Sequence, residues 1–124
     1  ETICDEVRVC KGMKRMLEAG VNPNRMTISS DGQGSLPMYS KDGEFLGMGV
    51  GQSSCLLKEV KECVFKADIP LEIALSTITS NPAEILRLKG KGKIEEGYDA
   101  DLCILDQDLQ LVEVIARGKK VYTK

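Results

Sequence analysis

The chain changes character at Lys89-Gly90-Lys91-Gly92-Lys93. Ahead of this run, apolar residues recur mostly at helical spacing. Beyond it they fall in short β-rich runs, Asp101 to Leu105, Leu111 to Ala116 and Lys119 to Tyr122, with Arg117-Gly118-Lys119 as the turn between the last two. Any fold for this chain must therefore join a helical α/β portion, residues 1–88, to a small β portion, residues 89–124. A length of 124 residues is enough for a real core.

The first portion reads as half of an α/β unit. Val9, Cys10, Met13, Met16 and Leu17 follow helical spacing within residues 5–19, weakened by Gly12, and Gly20 sits where a C-terminal cap belongs. Asn22-Pro23-Asn24 supplies a turn, and Met26 to Ser30 a short buried strand. Met38 to Ser40 and Glu44 to Leu46 flank Lys41-Asp42-Gly43 and predict a hairpin. Gly47 to Gly51 then reads as a flexible connection into a helix over 53–66. Ser53 and Ser54 are available as its caps, and Cys55, Leu56, Val60, Cys63 and Val64 form its apolar face. Pro70 opens a second helix that stops near Ser80. Asn81-Pro82-Ala83-Glu84 has the form of a capping box, with Asn81 as the cap of a third helix ending near Leu86 or Leu88.

Composition narrows the chemistry. There is no histidine, the commonest metal ligand and the commonest general base near neutral pH, so the chain's own groups are carboxylates, lysines, hydroxyls and thiols. Five cysteines without a C-x-x-C pair argue against a disulfide framework or a structural zinc site and for a reducing cytoplasm. Cys55 and Cys63, both on the 53–66 helix, read as core. A net charge of −2 with both signs interspersed gives no nucleic-acid or anionic-membrane footprint. No apolar run reaches the roughly 20 residues of a membrane helix, and the acidic start lacks the pattern of a signal peptide. Gly47, Gly49 and Gly51 fail the dinucleotide fingerprint because Gln52 occupies its last position, and no P-loop Lys-Ser or Lys-Thr follows. The Lys89, Lys91 and Lys93 cluster reads as a solvated linker.

Two stretches carry a family resemblance. Thr79-Ser80-Asn81-Pro82-Ala83-Glu84-Ile85-Leu86-Arg87-Leu88, followed by Gly92-Lys93-Ile94-Glu95-Glu96-Gly97-Tyr98-Asp99-Ala100-Asp101-Leu102, resembles the ending shared by many amidohydrolases. There a G-x-I-x-x-G-x-D-A-D-L segment returns the chain from the last barrel helices to a small β-sandwich. Thr27-Ile28-Ser29-Ser30-Asp31-Gly32-Gln33-Gly34-Ser35, with Gly47-Met48-Gly49-Val50 downstream, is similar to the eighth-strand segment of isoaspartyl dipeptidases, the β-aspartyl peptidases. The resemblance extends from about Val7 to the end.

It implies an α/β fold: the last strand and helices of a metal-dependent (β/α)8 TIM barrel, followed by part of a small β-sandwich. The barrel would be incomplete, since a full one needs about 250 residues. It also implies hydrolysis of β-aspartyl dipeptides by a cytoplasmic homo-oligomer that holds a divalent metal, with zinc expected and a binuclear centre in the full-length enzyme. The family's metal-binding histidines and bridging lysine or carboxylate come from earlier strands, so this chain alone is expected to be inactive.

By the same resemblance Asp31 is the catalytic carboxylate and metal ligand at the end of the last barrel strand. It would take the proton of the attacking water and pass it to the leaving amine. Ser35 corresponds to the serine that binds the substrate's α-carboxylate, with Gly32 and Gly34 letting the backbone approach. On local sequence alone Asp31-Gly32 is equally a strand-to-turn pair, as Asp42-Gly43 is read to be. Three alternatives remain: an amidohydrolase of another amide or cyclic amide, a non-catalytic fragment that self-associates, and an anion-binding module on the glycine loops.

Overall fold

A computed structural model describes residues 9–124 together with the backbone of Thr2–Ile3. Cys4 and the first turn of the expected 5–19 helix lie outside the described residues. In chain order the elements are β1 (Thr2–Ile3), α1 (Val9–Glu18), a 3-10 turn (Pro23–Arg25), β2 (Ile28–Ser29), β3 (Ser35–Tyr39), β4 (Phe45–Val50), α2 (Cys55–Ala67), α3 (Leu71–Ser76), α4 (Ser80–Ile85), β5 (Leu102–Leu105), β6 (Leu111–Ala116) and β7 (Lys119–Thr123).

The opening segment is a complete β–α–β unit. β1 and β2 run parallel, with Thr2 opposite Ile28 and Ile3 opposite Ser29, and α1 is the crossover between them. This corrects the expectation of a single barrel strand. Two residues at the chain start are too few to carry a period, so β1 leaves no sequence signal. Among the described residues no closed barrel forms.

α1 ends as its sequence dictates. Gly20 takes φ +80°, and the N–H groups of Gly20 and Val21 donate to the carbonyls of Leu17 and Met16, both at 3.0 Å. This two-bond closure needs a left-handed residue that glycine supplies without a Cβ clash. Val9, Cys10 and Met13 face inward and meet Val60, Cys63 and Ala67 of α2. Met26, Ile28, Ile69 and Ala74 complete this core. Cys63 is fully buried, and its thiol donates to Met13 Sδ at 3.6 Å. Burial, reinforced by the nearby Cys10, Glu59 and Glu62, pushes the Cys63 pKa up to about 12, so it packs as a neutral thiol rather than a ligand.

β3 and β4 form the expected hairpin, Ser35 opposite Val50 and Leu36 opposite Gly49. Ser40 Oγ accepts from the N–H groups of Asp42 and Glu44 at 3.2 and 3.1 Å and organises the loop, which closes on Gly43 at φ +85°. The expectation that Gly47 to Gly51 is a flexible connector was wrong: Gly47 and Gly49 are strand residues. Gly49 lies under Met38, whose Sδ would be 3.1 Å from an added Cβ. Ser54 precedes α2 but makes no side-chain capping bond, which departs from the role expected for the two serines.

Beyond residue 89 the chain forms an antiparallel sheet in the order β5-β6-β7. Arg117 and Gly118, at φ +49° and +77°, make the two-residue turn between β6 and β7, whose positive φ values match the twist of the strands it joins. The lysine run is not merely solvated. Lys91 Nζ bridges Asp99 Oδ2, at 2.7 Å, and Asp101 Oδ2. Asp101 Oδ1 accepts the Arg117 N–H at 2.7 Å. Asp99 and Asp101 of the D-A-D segment therefore tie the segment after α4 to the start of β5 and the β6–β7 turn. The Lys91 hydrogen bond holds the Asp101 carboxyl below its usual range, and the two aspartates raise Lys91.

Candidate active site

Asp31 stands two residues beyond the last residue of β2, at the C-terminal end of the parallel pair. Barrel active sites are built at this end of parallel strands. Asp31 is exposed and takes φ +46°, in the left-handed region that Asp tolerates better than most residues. Three features fold the chain sharply here. The Asp31 carbonyl accepts the Gly34 N–H at 2.8 Å. Ser29 Oγ accepts the Asp31 N–H at 3.3 Å, and Ser30 Oγ accepts the Gly32 N–H at 3.2 Å. Gln33 N–H donates to the Gly51 carbonyl at 2.9 Å, while Gly51 N–H donates to Gly34 at 2.8 Å.

Two glycines lie against Asp31, Gly34 against its side chain and Gly51 against its backbone. A Cβ on Gly34 would stand 2.5–2.6 Å from the Asp31 carboxylate, so the carboxylate lies directly over the Gly34 backbone. A Cβ on Gly51 would overlap the Asp31 carbonyl oxygen. Gly51 is buried, and it joins the end of β4 to the Asp31 turn. Sequence reasoning gave Gly51 no role at the site. Its signal was a third glycine in an alternating row, indistinguishable from a linker.

Ser35 is the first residue of β3 and is exposed. It lies one residue after Gly34, so Asp31, Gly32, Gly34 and Ser35 share one turn-and-strand segment. The N–H groups of residues 31 to 34 are engaged within this turn or with Gly51. Donation to an anion at this loop therefore falls to side chains, the Ser35 hydroxyl among them, rather than to a row of backbone N–H groups.

A metal would find one oxygen donor here. Among the described residues no group of three or more His, Cys, Asp or Glu side chains lies together. Asp31 thus fits a metal centre as a single carboxylate ligand and cannot hold one alone.

A separate cleft lies elsewhere. It measures about 540 Å³ and is walled by Leu56, Leu57, Leu75 and Ile78 on the helical side and by Leu102, Leu105 and Leu111 on the sheet side. Neither Asp31 nor Ser35 lines it. No helix among the described residues is long and apolar enough to cross a membrane.

Comparison with known proteins agrees on the superfamily. The β-aspartyl dipeptidase of Fervidobacterium islandicum AW-1, solved in complex with β-Asp-Leu dipeptide, matches 90% of this chain with 38% identity and a TM-score of 0.75. A dihydroorotase of Thermoplasma acidophilum is 29% identical over 100 residues, 81% of this chain. An N-acetyl-D-glucosamine-6-phosphate deacetylase of Mycobacterium smegmatis shares the fold over 97% of the chain, with a TM-score of 0.73 at 22% identity. The chain spans 28% of that dipeptidase, 24% of the dihydroorotase and 37% of the deacetylase. The amidohydrolase family profile matches residues 5–122, and the chain belongs to the amidohydrolase family.

Proposed function

We propose that this chain carries the last-strand catalytic segment of a metal-dependent β-aspartyl (isoaspartyl) dipeptidase. The observation that carries the reading is the 38% identity over 90% of the chain to a dipeptidase solved with β-Asp-Leu. The placement of an exposed aspartate at the C-terminal end of a parallel strand pair supports it. In this reading the complete enzyme is a cytoplasmic homo-oligomer whose partner is the dipeptide, not nucleic acid or membrane. Residues 1–88 belong to its barrel and 89–124 to its β-sandwich.

When bound, a divalent metal, zinc in this reading, would make a water acidic enough to deprotonate near neutral pH, with Asp31 as one of the residues that would hold it. Among the described residues Asp31 is the one ligand offered at this site, and the remaining ligands would come from elsewhere in the complete enzyme. The Asp31 carboxylate accepts the proton of the attacking water and delivers it to the departing amine. Gly34 leaves that carboxylate room above the loop. The Ser35 hydroxyl donates to the substrate's α-carboxylate.

A second reading, hydrolysis of a cyclic amide, draws on the dihydroorotase match. The deciding experiment assays the complete protein, metal-loaded, against β-Asp-Leu and against dihydroorotate. The dipeptidase reading expects turnover of the first alone. Asp31→Asn should lower kcat by about 100- to 10,000-fold with KM little changed, because a general base is lost while binding groups remain. Turnover of dihydroorotate alone would move the assignment to the cyclic amide.

A further inference from the structure

The Asn81-Pro82-Ala83-Glu84 motif marked the family without having a task in the reaction. The structure also overturns the capping role expected for it. Asn81 is the second residue of α4, not its cap, and is 3% exposed. Its side chain turns away from its own helix. Nδ2 donates to the Met26 carbonyl at 2.7 Å and to the Pro23 carbonyl at 2.8 Å, and lies 3.4 Å from Ser76 Oγ. These two carbonyls bracket the 3-10 turn that leads into β2. Just before α4, fully buried Thr77 accepts the Ile28 N–H at 3.1 Å through its carbonyl and ties its own hydroxyl to Ala74 at 2.6 Å. The α3–α4 corner thus grips the chain at Pro23, Met26 and Ile28. Asp31 follows Ile28 after only two intervening residues, Ser29 and Ser30.

We infer that Asn81 is a positioning residue for Asp31: its carboxamide sets where β2 ends and hence where the carboxylate stands. The chemistry of the side chain argues for this. A primary amide presents two N–H bonds in a fixed plane, which suits two carbonyls on one turn. Removing the amide leaves the buried Met26 carbonyl without this donor, which is costly, while the half-buried Pro23 carbonyl keeps the Met26 N–H at 3.1 Å. Asn81 touches neither substrate nor reacting atoms and acts through β2. This rests on the reading that Asp31 performs proton transfer, and the test separates the two.

The test uses the complete, metal-loaded protein with Asn81→Asp, which keeps the shape but loses both donors, and Asn81→Gln, which keeps the donors on a longer arm. Both are compared with wild type in β-Asp-Leu hydrolysis and in amide hydrogen exchange across residues 26–34. The expected result is a kcat about 10- to 100-fold lower for Asn81→Asp at nearly constant KM, the cost of misplacing a catalytic group by about an ångström. Faster exchange at Ser29 to Asp31 should accompany it, and Asn81→Gln should fall between the two. A structural role alone would lower the melting temperature and leave kcat per folded molecule unchanged, and that outcome overturns the inference. Unchanged exchange across 26–34 overturns it too. Should Asn81→Asp yield no folded protein, the Gln variant decides by the same criteria. Should the wild type fail to cleave β-Asp-Leu, the function reading fails, and the exchange comparison alone decides whether Asn81 holds the Asp31 segment.

Discussion

At the scale of single residues, the Asp31 turn depends on glycines for space rather than for flexibility. Gly51→Ala in the complete protein should reduce kcat by about 10- to 100-fold, because the new Cβ would drive the Asp31 carbonyl aside. Gly12→Ala is the matched control. It has nothing within 4 Å of its added Cβ and sits inside α1. It should raise stability by about 0.5–1 kcal/mol in urea unfolding and leave kcat alone. Asp31 and Ser35 stand out in the sequence because a family motif surrounds them. Gly51 and Asn81 do not, because their roles are set by atoms at Asp31, Pro23 and Met26, far along the chain from each. Asn81 in particular has local neighbours that fit a capping box perfectly well. Only the direction of its side chain reveals the longer reach.

At the scale of elements, helices and the C-terminal strands followed from periodicity, since Val9, Cys10 and Met13 or Val60, Cys63 and Ala67 each mark one buried stripe. Met13→Ala should cost about 2–5 kcal/mol, read as a lower urea midpoint, because a side chain only 1% exposed leaves a cavity between α1 and α2. The strand content of the Gly47–Gly51 row was hidden, as glycine carries no β signal of its own. The ion bridge at Lys91 makes a pH-dependent prediction. Asp101 has its pKa lowered in the fold, mainly by its hydrogen bond to Lys91, so its contribution is present above the unfolded carboxylate pKa of about 3.9 and fades as pH falls through the depressed value. Lys91 has its pKa raised, so its contribution is present below about 10.4 and fades as pH climbs through the elevated value. Asp101→Asn should therefore lower the melting temperature at neutral pH, and its difference from wild type should shrink in strong acid.

At the scale of the whole molecule, this chain shows apolar surfaces that a self-sufficient domain would cover. Met38, Tyr39, Phe45, Leu46, Met48 and Val50 of the hairpin are each 47–64% exposed. β1 and β2 pair only with each other among the described residues. Produced alone, the 124 residues should sediment as species larger than a monomer and show no β-aspartyl hydrolysis above background. A monodisperse active monomer would refute both expectations and the proposed need for ligands from outside the chain.

The grip of Asn81 on the turn before β2 also has a consequence for the order in which the protein is made. Its partners Met26 and Pro23 lie 55 and 58 residues earlier. At typical synthesis rates of about 5–20 residues per second, the segment bearing Asp31 waits on the order of several seconds for the residue that holds it. Until α4 emerges, the nascent chain can fold α1 onto its neighbours, but the Asp31 carboxylate has no fixed address. Local helix formation comes first, and the Asp31 turn is held only once α4 has been translated.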